Sequence, residues 1–100
     1  MLITIIGIFY SISGIMSISV EQIKAARAIL GMSAADLASI SGVGGTTIRR
    51  YEMGSGIPNA NLQNIMKIKH ALESAGIEFT GDPFNNPGVT LHLSKGGDND

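Results

Sequence analysis

Adjacent Arg49 and Arg50, preceded by Gly44-Gly45-Thr46-Thr47, are the residues best suited in this chain to gripping another molecule. A guanidinium carries its donors as a planar fork that matches phosphates and other planar acceptors two bonds at a time. Catalysis finds no comparable support. No nucleophile stands at a recognisable spacing from a base, and no carboxylates pair in a cleft-forming pattern. The Gly-Gly-Thr-Thr run lacks the lysine and the preceding strand of a phosphate-binding loop. With no cysteine, and with His70 and His92 far apart in sequence, no metal site is expected either. The expectation is a chain that is not an enzyme and takes no cofactor.

The bulk numbers narrow the setting. A length of 100 residues with 44% apolar content supplies one core and therefore one domain. Absence of cysteine fits a reducing cytosol. The net charge of −1 does not announce a polyanion partner, but its distribution is uneven. From Val20 to Ala75 six basic residues (Lys24, Arg27, Arg49, Arg50, Lys67, Lys69) oppose four acidic ones (Glu21, Asp36, Glu52, Glu73). From Gly76 onward Glu78, Asp82, Asp98 and Asp100 oppose only Lys95, so that end should stay away from a phosphate backbone.

The elements that must position the arginines lie between Ser33 and Gly54. Ser33 can cap a short helix with Leu37, Ala38 and Ile40 on one side. Gly42 supplies the left-handed residue of a tight turn, and Val43 an apolar plug. A second helix, from about Gly45 to Met53, turns Ile48 and Tyr51 inward and Thr46, Arg49 and Arg50 outward. Leu37-Ala38, Gly42-Val43, Thr47-Ile48, Glu52 and Gly54, at these spacings, resemble the phage-repressor/Cro-like helix-turn-helix family, also called the XRE family, over roughly residues 20–72.

That resemblance implies a double-stranded DNA partner, a recognition helix in the major groove, and a cytoplasmic, nucleoid-associated bacterial regulator that is most simply a repressor. By position, Gly45, Thr46 and Arg50 match base-edge contacts in such proteins, and Thr47 matches a phosphate or neighbouring contact. Arg49 lies beside them. Arg50 is the leading candidate for a bidentate contact to guanine, and Thr46 for a thymine methyl. Ser33 and Asn59, at helix starts, complete the DNA-contacting set. The family pairing of an arginine with the glutamate ending the recognition helix would here join Arg27 to Glu52 as a structural fork; a phosphate contact for Arg27 is the alternative. The chain also departs from the pattern. Ala34 replaces a common backbone-anchoring glutamine, Gly45 a base-reading side chain, and Ser55 and Ile57 the usual loop cations, which weakens each copy and argues for a homodimer. An antitoxin-like module that holds a toxin-like protein partner is the alternative on the same scaffold.

The rest of the chain frames this motif. Residues 1–18 form an apolar extension, too short and interrupted for a membrane span and without a basic start or cleavage pattern; it either packs on something or precedes a true start at Met16. A helix from Val20 to Leu30 places Val20, Ile23, Ala26 and Leu30 on one face and ends at Gly31. Asn59 or Asn61 can cap another helix reaching Ala75, with Leu62, Ile65, Met66, Ile68 and Leu72 buried and Lys67, Lys69 and His70 solvated. Ile77-Glu78-Phe79 and Val89 to Leu93 suggest a hairpin, which must dock on the helices or pair across a dimer. The expected fold is mainly α: a four-to-five-helix repressor-like bundle over 19–76, a β-hairpin over 77–93, a flexible tail over 94–100, and the apolar extension before them.

Overall fold

The computed structural model describes residues 17–93, so expectations for the extension up to residue 16 and for the tail from residue 94 fall outside the described residues. Within that range four helices and one hairpin follow in order: α1 (Val20–Leu30), α2 (Ala34–Ser41), α3 (Gly45–Glu52), α4 (Leu62–Ser74), β1 (Ile77–Thr80) and β2 (Gly88–Leu91). None of these helices is long and apolar enough to cross a membrane.

Each boundary has a local cause. Ser19 opens α1 with a reciprocal cap: its hydroxyl accepts from the Gln22 amide at 3.0 Å, and Gln22 Oε1 accepts from the Ser19 amide at 2.9 Å. Ser33 and Asp36 repeat the device at the start of α2, each bond being 2.9 Å. Asn61 caps α4 by accepting from the Asn64 amide at 2.8 Å. Gly42, at φ 78, makes the turn between α2 and α3 in a conformation that strains any residue with a Cβ. The Val43 amide, just past it, donates to Ser41 Oγ.

One core joins all six elements. Ile18, Ile23, Ala26, Leu37, Val43, Ile48, Tyr51, Ile65, Ile68, Leu72 and Ile77 form a single buried cluster, with Phe79, Val89 and Leu91 packed against it. Ile18, assigned from sequence to the extension, thus belongs to the core. The strands are antiparallel, with Ile77 opposite Leu91, Glu78 opposite Thr90, Phe79 opposite Val89 and Thr80 opposite Gly88. Two strands alone are marginal in water. Here β2 lies on α1 and β1 on α4, and buried Gln22 donates from Nε2 to the carbonyls of Thr80 at 3.3 Å and Gly88 at 3.0 Å. Gly81 closes the hairpin loop so tightly that a Cβ there would sit 1.9 Å from the Asn86 carbonyl oxygen.

Several readings of helix faces need correction. Lys69, expected to be solvated, is 3% exposed. It pairs with Glu73 one turn later and lies 5.8 Å from the centre of the Phe79 ring, because the hairpin folds back across that side of α4. Ile40, expected inward, is 51% exposed. Leu37 points into the core, and Ala38 and Ile40 flank it on opposite sides at about 100° per residue. Helix α3 closes the Ala38 side at Gly45, which leaves Ile40 to solvent. Leu62, in the first turn of α4, is likewise largely exposed. The Asn59 cap is not formed, since Asn61 holds that role. Helix α4 stops at Ser74, with Ala75, its expected last residue, as the cap.

Candidate nucleic-acid interface

Helix α3 is held from beneath and at its C-terminal end. Ile48 and Tyr51 are buried under it, and the Tyr51 hydroxyl accepts from Asn64 Nδ2 at 3.1 Å, which ties the end of α3 to the start of α4. Below, Arg27 of α1 reaches Glu52: Nε donates to Oε2 at 2.8 Å and Nη2 to Oε1 at 2.5 Å. A third donor, Nη1, meets the Met32 carbonyl at 2.8 Å, so one guanidinium joins α1, the α1–α2 turn and α3. The carboxylate of Glu52 raises the Arg27 pKa above its ordinary value through the hydrogen bond first, against an opposing effect of burial.

The outward face carries what the sequence assigned to it. Thr46, Arg49 and Arg50 are exposed, and Gly45 and Thr47 are half-buried at the start of the helix. Among the described residues neither arginine takes part in an ion pair, whereas Glu52 is engaged with Arg27. The two guanidinium groups diverge. That of Arg49 lies back over Gly45, where a Cβ would meet its Nη atoms at 3.6 and 3.7 Å. That of Arg50 stands 5.7 Å from the centre of the Tyr51 ring. Arg50 and Asn59 line one concavity together with Ser55, Ile57 and Pro58. Ser33 stands apart at the start of α2 with its hydroxyl accepting from the Asp36 amide. The Ser33 amide in return lowers the Asp36 pKa below the ordinary carboxylate value.

The loop after α3 is latched to α1. The Val20 amide donates to the Gly56 carbonyl at 2.7 Å, and the Gly56 amide donates to the Glu21 carboxylate at 3.1 Å. Sequence reasoning missed this latch, and nothing local signals it, since its partners are far apart along the chain. It also missed the Ser19–Gln22 cap, which the Ser-x-x-Gln spelling before an apolar run does signal. No group of histidine, aspartate or glutamate able to hold a metal occurs among the described residues.

No match was found among curated proteins or among solved structures. A profile of the helix-turn-helix family matches residues 23–74, from the second turn of α1 to the last residue of α4. That span takes in both helices of the motif, the Gly42 turn and the helices bracing them; the chain belongs to the phage-repressor/Cro-like, or XRE, helix-turn-helix family of DNA-binding regulators.

Proposed function

We propose that this chain is a sequence-specific regulator that lays α3 in the major groove of double-stranded DNA and acts as a repressor by occupying its operator. The observation that carries the reading is the outward display of Thr46, Arg49 and Arg50 on a helix whose other side, Ile48 and Tyr51, is buried and whose carboxylate is already paired. Gly45 and Thr47 line the approach to the base edges, and Ser33 and Asn59 face the flanking backbone. Few cations accompany them, so a single copy binds weakly and with a shallow salt slope. A homodimer with recognition helices about 34–36 Å apart would add two such half-sites.

The test is selection of the full chain against a randomised duplex library, followed by fluorescence titration at low and moderate salt. A recurrent, near-palindromic sequence that binds more tightly than random duplex supports the reading. No enrichment, with equal binding to all duplexes, refutes it. A second reading, an antitoxin-like module, is supported by Phe84, exposed in the hairpin loop, and Leu93, exposed just past β2, beside a hairpin that also carries Glu78 and Asp82. It predicts that Phe84→Ser abolishes capture of a protein partner while leaving duplex binding unchanged.

A further inference from the structure

We infer that Arg49, not Arg50, carries base discrimination, and that the missing side chain at Gly45 is what admits its guanidinium to the reading end of α3. The inference rests on the DNA-binding function proposed above and assigns the roles within it.

Long side chains on a helix lean toward its N-terminus and cover the turn before their own Cα. For Arg49 the residue one turn back is Gly45, and the guanidinium lies there against bare backbone. The N-terminal residues of a recognition helix are the ones that meet base edges, because that end enters the groove. A helix beginning Gly-Gly would otherwise reach the bases with nothing longer than a threonine. Arg49 supplies the absent reader from one turn downstream. Arg50 is directed elsewhere. Its guanidinium is held against Tyr51, six residues and about 9 Å along the axis from Gly45. It lies beside the loop that carries Ser55, Ile57 and Asn59. A cation–π contact at that end suits a clamp on the passing phosphate backbone.

The space at Gly45 sets how much can be added. A Cβ would meet the Arg49 Nη atoms at 3.6 and 3.7 Å and Ala38 Cβ at 3.8 Å, all ordinary contacts. Alanine therefore fits without moving the guanidinium. Glutamine, with its chain projecting into the same volume, displaces it.

The experiment uses the full chain and the duplex preferred by the parent in library selection, with every single base-pair variant of that duplex. Arg49→Ala is expected to flatten discrimination at one position in each half-site by about 5- to 150-fold, the range of one good bidentate base contact. Arg49→Lys keeps the charge but lacks the rigid planar fork, so it should lose part of that discrimination while retaining the parental salt slope. Arg50→Ala should weaken all duplexes by a similar factor and reduce the salt slope by about one. Gly45→Ala should keep the parental preference and Gly45→Gln should change it. Thermal melting of each variant checks the fold, which substitution of the exposed Arg49 and Arg50 should leave intact and which must hold for the half-buried Gly45 variants before their preferences are compared. The assignment is overturned if Arg49→Ala and Arg49→Lys keep the parental ranking of base pairs while Arg50→Ala loses it, an outcome that leaves DNA binding itself standing. A parent that selects no sequence overturns both.

Discussion

Replacing Arg27 tests how the interface is braced. Its side chain is 20% exposed and that of Glu52 10%, so the pair is partly desolvated, and its geometry is a true fork with a third bond to the Met32 carbonyl. Deleting the guanidinium leaves a shielded carboxylate and a carbonyl without their donors. Loss of one partner of a fully buried pair costs about 3–5 kcal/mol. Residual exposure reduces this, and we expect Arg27→Met to destabilise by about 2–4 kcal/mol, the larger part of it from stranding Glu52. For a domain of this size that is a fall in Tm of about 10–30 °C, against a total stability of about 5–15 kcal/mol. Urea unfolding followed by circular dichroism reads the loss. Glu52→Leu alone should be comparably harmful, and Arg27→Met with Glu52→Leu should recover most of the deficit, because no unpaired charge remains. Single variants within about 1 kcal/mol of the parent would refute the bracing argument, that being the range of an exposed pair. Full stability with weakened duplex binding would instead make Arg27 a phosphate contact.

Three further outcomes follow from the geometry. The Asp36 carboxyl has its pKa lowered by the Ser33 amide, so its contribution is complete above the ordinary carboxylate value and fades as pH falls through the lowered one; Asp36→Asn should flatten that part of the acid limb in pH-dependent melting. Gln22→Ala should free the carbonyls of Thr80 and Gly88 and loosen the hairpin by about 1–3 kcal/mol, read as faster amide exchange in β1 and β2 with α3 and α4 little changed. Gly81→Ala should open the hairpin loop, since its Cβ would lie 1.9 Å from the Asn86 carbonyl oxygen at φ 72; chemical shifts confined to residues 77–91 would register it.

Much of the motif was legible because its signals are local. Ser33 with Asp36, Gly42 and Gly31 punctuate helices through bonds and torsions within a few residues, and Leu37, Ile48 and Tyr51 keep their inward faces by helical period alone. Period fixes an angle about a helix axis, however, and not which neighbour arrives to cover it. Ile40 and Lys69 were misread for that reason, one left bare where α3 closed the other flank, the other covered by a hairpin ten residues downstream.

The sequence by itself determined the cap at Ser33, the stop at Gly31, the turn at Gly42, and that two arginines share the outward side of α3, because caps, glycine torsions and 3.6-residue periodicity act over a single turn. Only the tertiary structure decided that Arg49 leans over Gly45 while Arg50 rests on Tyr51, that Glu21 holds Gly56, and that Gln22 bonds the hairpin. Those choices depend on which surfaces meet once the core around Ile23, Leu37, Ile48 and Ile68 has closed, and that information belongs to the packed chain as a whole.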